Sequence, residues 1–130
     1  QVGDSRLYLQ RDGWLDQITR DQTMAEDLVD QGILKPELAQ KSRWSNVLSS
    51  AVGGRNPTVD PVLYDLGLTL DDVLLLCSDG LTKHVSDPEI SDILTSSATA
   101  EDACKFLVQA ALDGGGTDNV TVVVARFPGN

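Results

Sequence analysis

A chain of 130 residues with 41% apolar content is sized for one domain with a real core, and its formal net charge of −10 argues against nucleic acid, whose phosphates need clustered Lys and Arg. No run approaches the ~18 apolar residues of a membrane span, and the first residues carry no signal-peptide pattern. The two cysteines, Cys77 and Cys104, form neither a zinc spacing nor a disulfide framework and suit a reduced, cytoplasmic setting.

Gln1-Val2-Gly3-Asp4 reads as the end of a strand whose beginning is absent. With no initiator Met, the chain is expected to be a fragment or a processed product. Leu7 to Arg11 alternates as a strand, Asp12-Gly13 signals a hairpin, and Trp14 to Thr19 returns as the partner. Thr23-x-x-Glu26 has the form of a capping box, which opens a helix from Met24 to Gln31 stopped by Gly32. Pro36 suits the first turn of a second short helix, residues 36–41. Asn46 to Val52 and Val59 to Leu66 are expected as strands, with Gly53 to Pro57 as a loop between them. Val73 to Ser78 reads as a buried strand. Asp87 and Pro88 open a helix to Ser96. Thr99 caps another, with Ala103, Phe106, Leu107 and Ala110 at helical spacing up to Gly114. A last strand covers 119–127. The order gives an α+β chain with mostly antiparallel pairing, because several strand links are too short for a crossover.

Three acidic positions stand at strand ends. Asp79 follows the apolar run Leu74-Leu75-Leu76-Cys77-Ser78 and is itself followed by Gly80. Asp118 follows three glycines and leads through Asn119 into Val120-Thr121-Val122-Val123-Val124. Asp4 follows Gly3 ahead of the first strand. A carboxylate at the rim of a core is costly unless it meets a cation or performs chemistry. Hard divalent cations favour such rigidly placed oxygens. Each motif alone also fits a turn or a helix cap. His84 reads as a solvated loop residue, Arg6 as the partner of a carboxylate, and Ser78 as structural. Trp14 and Trp44 read as packing residues, Trp44 the more exposed of the two.

Val-Gly-Asp-Ser-Arg at 2–6, Leu-Leu-Cys-Ser-Asp-Gly-Leu-Thr at 75–82 and Gly-Gly-Thr-Asp-Asn-Val-Thr-Val-Val at 115–123 occur in order and at suitable separations. Together they resemble the metal-dependent Ser/Thr protein phosphatases of the type 2C family, over essentially the whole chain but only the second half of the family's catalytic domain. The resemblance implies the C-terminal half of an α-β-β-α sandwich, two mostly antiparallel sheets flanked by helices. Residues 21–45 would be its flap. It implies that Asp79 and Asp118 ligate a two-metal centre of Mg²⁺ or Mn²⁺, and that Asp4 joins Asp79 at a third, weaker site. Asn119 and Gly80 would stand behind these ligands, Asn119 through hydrogen bonding. The substrates would be phosphoserine and phosphothreonine on proteins, attacked by metal-activated water.

Two departures bear on this. The acidic pair, the Asp-Gly metal motif and the phosphate-binding Arg of the family's first half are absent, so the isolated chain is expected to be inactive and to pair with the missing half or with itself. The flap ends in Lys41-Ser42-Arg43-Trp44-Ser45-Asn46, where the family usually has His-Pro before Arg-Asn, which leaves flap-dependent substrate choice open. The competing expectation is a non-catalytic, phosphatase-like interaction module.

Overall fold

The computed structural model describes residues 1–53 and 58–129. Of the expected loop at 53–57, residues 54–57 lie outside the described residues. The chain divides into two compact units, one of residues 1–5 and 20–64, the other of residues 6–19 and 65–130.

The second unit holds a four-stranded antiparallel sheet of order β2-β1-β3-β4, formed by β1 (Arg6–Arg11), β2 (Trp14–Gln17), β3 (Val73–Cys77) and β4 (Val122–Arg126). Asp12 and Gly13 both take positive φ, 51° and 82°, which is the geometry a two-residue hairpin between β1 and β2 requires. Alternation along β3 sends Val73, Leu75 and Cys77 to one face. There they meet Leu81 and Val85, then Ile90 and Leu94 of α4 (Asp87–Ser96), and Ala103, Leu107 and Ala111 of α5 (Ala100–Asp113). The spacing of four in that last set puts one alanine on each side of the leucine, which leaves room for α5 to pack against the sheet. Phe106 was expected inside but is 55% exposed, and Ala111 takes the inner position.

Buried polar groups fix α4 to β1. The Tyr8 hydroxyl donates to Asp87 at 3.1 Å, and the Gln10 amide meets Thr95 and Ser91 at 3.2 and 3.1 Å. Ser86, not Asp87, precedes α4. Its N–H and hydroxyl both donate to the Glu89 carboxylate, at 3.0 and 2.8 Å. The opposite sheet face stays apolar and unevenly covered. Registers Leu7–Leu76–Val123 and Leu9–Leu74–Ala125 run across it, and Leu76 and Val123 are about half exposed.

The first unit is built on α1 (Met24–Asp30) and α2 (Pro36–Ala39). The Thr23 hydroxyl accepts the Glu26 N–H, as expected of a cap. The Glu26 carboxylate completes no box; it turns to Arg20 at 2.9 Å. Gly32, at φ 70°, ends the helix. The strand expected at 46–52 does not form. Met24 N–H bonds Val47 O and Ser49 N–H bonds Gln22 O, but this partner becomes α1 at the next residue and the ladder stops at one bridge, Thr23–Leu48. The strand expected at 59–66 does not form either. Val62 exchanges both backbone hydrogen bonds with Gln1, and the pairing does not extend into a ladder. Trp14 and Trp44 reverse their expected exposure, 77% against 37%, because Trp14 opens edge strand β2 while Trp44 carries Arg43 stacked at 4.7 Å from its ring.

Candidate metal centre

The site forms where β3 ends and β4 begins. Cys77 and Val122 are register partners, so the chain leaving β3 and the chain entering β4 lie side by side. Ser78 joins them. Its N–H donates to Thr121 O at 3.0 Å, and its hydroxyl accepts Thr121 N–H at 3.0 Å and donates to Asn119 O at 3.3 Å. Asp79 then opens a single helical turn, α3 (Asp79–Thr82), which the sequence reading did not foresee. Gly80 makes this turn possible, since a Cβ there would stand 2.1 Å from the carbonyl oxygen of Asn119.

The other wall is the loop after α5. Gly115 sits at φ 134°, in the region that favours glycine, and leads to Thr117 and Asp118. His84 keeps part of the solvent exposure expected of it and is also tied to this loop. Its Nε2 accepts the Thr117 N–H at 3.2 Å and lies 2.7 Å from the Thr117 hydroxyl. A Cβ on Gly115 would stand 3.2 Å from Cε1 of the His84 ring, and one on Gly114 would meet the His84 Cβ and carbonyl oxygen at 3.0 Å, so the glycine run gives His84 its seat.

The two loops bring Asp79 and Asp118 to one point, occupied by the ammonium of Lys83. Lys83 Nζ is 2.6 Å from Asp79 Oδ2 and 2.8 Å from Asp118 Oδ2. The three side chains are between 32% and 43% exposed, so the site opens to solvent. The Lys83 hydrogen bond, with help from the Asn119 N–H at 2.8 Å, holds the Asp118 carboxyl below its usual range, while Asp118 and then Asp79 raise Lys83. Asn119 engages through its backbone: the N–H meets Asp118 and the carbonyl meets Ser78. Asp4 lies in the first unit, in a bend after Gly3. The sequence reading missed Lys83, although the four-residue spacing from Asp79 was the available signal. It had no signal for His84.

The donor chemistry fits a hard cation, because two carboxylate oxygens from separate loops already converge on one positive charge. The set is partial: among the described residues no group of three or more His, Cys, Asp or Glu could hold a metal ion. No helix among them is long and apolar enough to cross a membrane.

The four-stranded antiparallel sheet backed by helices matches the C-terminal half of solved phosphatase folds. The protein phosphatase 2C family model matches residues 57–120. The Ser/Thr protein phosphatase PstP of Mycobacterium tuberculosis is 46% identical over 124 residues, which are 95% of this chain and 24% of PstP. A crystal structure of PstP/Ppp from Mycobacterium tuberculosis superposes with a TM-score of 0.89 at 42% identity, over 98% of this chain and 53% of that one. The PstP catalytic domain in complex with two manganese ions gives a TM-score of 0.82 at 44% identity, over 98% of this chain and 52% of that one. The match to the protein phosphatase 2C family model and to these phosphatases makes the chain similar to that family, and it spans about half the length of these solved relatives.

Proposed function

We propose that this chain supplies one half of the catalytic centre of a protein serine/threonine phosphatase acting on phosphoserine and phosphothreonine in proteins. The observation that carries this reading is the convergence of Asp79 and Asp118, from two loops, on one cationic centre. In the assembled site these two carboxylates hold Mg²⁺ or Mn²⁺, and Asp4 joins Asp79 at a further, weaker site. Bound divalent cations of this kind acidify a coordinated water and offset charge on a phosphoryl group. The chain's own contribution is placement. Ser78 and Gly80 set the Asp79 turn against Asn119, and His84 sets the loop of Asp118. Residues 21–45, with α1 and α2, serve as the flap, and Cys77 and Cys104 as thiols suit a cytoplasmic setting.

The remaining ligands come from a complementary half-domain, and the apolar face that bears Leu76 and Val123 is where that half packs. Its exposure, and the twofold greater length of the solved relatives, support this partner. The test is hydrolysis of a phosphothreonine peptide with Mn²⁺ by this chain alone and mixed with the complementary half of its domain. Activity in the mixture alone, abolished by Asp79→Ala or Asp118→Ala, is the expected result. A folded but inactive mixture would instead support the non-catalytic interaction module.

A further inference from the structure

We infer that Lys83 is a built-in competitor for the metal: its ammonium occupies the position between Asp79 and Asp118 that a divalent cation would take, so metal entry requires the lysine to leave. This rests on the metal-site reading above and adds a residue that acts against binding. Three observations carry it. The ammonium makes its contacts to both carboxylates at once, at 2.6 and 2.8 Å, and these are the two loops the site has to join. The pairing with Asp79 is fixed by the four-residue spacing across α3, so the lysine is delivered by the same helical turn that delivers the ligand. The Lys83 side chain is 32% exposed on a flexible four-carbon stem, which gives it a route out to water.

Lys83 thus has two effects. Without metal it relieves the repulsion between the two carboxylates and keeps both loops in place. With metal it must give up both ion pairs, and a second cation beside the first is unfavourable. Two partly exposed ion pairs of ordinary strength amount to about a tenfold penalty on metal affinity.

The experiment is titration of the full chain with manganese(II) chloride, with free Mn²⁺ read by electron paramagnetic resonance. Wild type, Lys83→Met, Lys83→Gln and Lys83→Arg are compared, each checked for native circular dichroism. Both neutral variants should bind Mn²⁺ about tenfold more tightly, and Lys83→Arg should remain close to wild type. Asp79→Asn or Asp118→Asn added to Lys83→Met should remove the gain. If the neutral variants bind no more tightly than wild type while Asp118→Asn weakens binding, the competitor role is wrong and the metal site survives. If binding is indifferent to both aspartates, or is absent in every variant even with the complementary half of the domain added, the metal-site reading fails and the competitor role goes with it.

Discussion

The α-carbon of Gly80 faces the carbonyl of Asn119 so closely that a Cβ would stand 2.1 Å from the oxygen and 2.9 Å from the carbonyl carbon. Both obstructing atoms are backbone, so no rotamer change relieves the clash. Glycine is required here by the approach of two backbone segments rather than by a positive φ. Gly80→Ala must push α3 away from the Asn119–Val120 segment, and with it Asp79 away from Asp118. Overpacking of this kind costs about 1–3 kcal/mol. Thermal unfolding should show that loss, and Mn²⁺ affinity should fall as the carboxylates separate; an unchanged melting temperature would contradict the close approach.

His84 offers a separate handle on the same loop. Its Nε2 is the acceptor for the Thr117 N–H, one residue from Asp118. His84→Ala removes that acceptor and the ring that packs against Gly115. A lost neutral hydrogen bond is worth about 1 kcal/mol. Amide exchange at residues 115–118 should therefore accelerate several-fold while β3 and α5 keep their protection. Uniform acceleration across the chain would mean that His84 acts on the whole fold and not on the loop.

Much of this arrangement was legible from residue order. The hairpin at Asp12-Gly13, the β3 run and α5 follow from alternation, turn chemistry and capping, all local signals. Asp79 and Asp118 were picked out because charge at the end of an apolar strand needs a reason. The strands expected at 46–52 and 59–66 did not form because a strand depends on its partner row, which the residues within it do not reveal. Asn46 to Val52 meets a segment that turns helical after Thr23. The contact of Lys83 with Asp118 spans 35 positions, and that of His84 with Thr117 spans 33. Neither is visible until the β3–β4 pairing places the two loops together.

At the other end of β3, Asp72 is buried, and Arg11 holds it with two hydrogen bonds of 2.8 and 2.6 Å while the Thr69 N–H adds a third at 2.7 Å. These bonds, Arg11 first, hold the Asp72 carboxyl well below the usual range. The unfolded chain releases this proton near pH 4. The folded state therefore binds fewer protons than the unfolded state below that pH. Its contribution is complete above about pH 4 and is lost as pH falls toward the folded value. Asp72→Asn should lower the melting temperature at pH 7 and flatten its decline between about pH 4 and pH 2. Parallel pH curves for variant and wild type would show that another carboxylate governs acid unfolding.

Leu75 and Leu76 are neighbours in sequence and opposites in environment. Leu75 is fully buried against the helices, and Leu76 is 48% exposed on the other face, between Leu7 and Val123. Leu75→Ala opens a cavity in the core and should cost about 2–5 kcal/mol. Leu76→Lys removes little packing in this chain and should change stability by no more than about 0.5 kcal/mol. Its effect belongs to the proposed partner: a charge in the middle of that apolar face should abolish binding of the complementary half while the melting temperature of the chain holds. Calorimetric unfolding of both variants, with analytical ultracentrifugation of each mixture, separates the two outcomes. Undiminished association by Leu76→Lys would place the partner on another surface, and equal destabilisation by the two substitutions would mean that the second face is already covered within the chain.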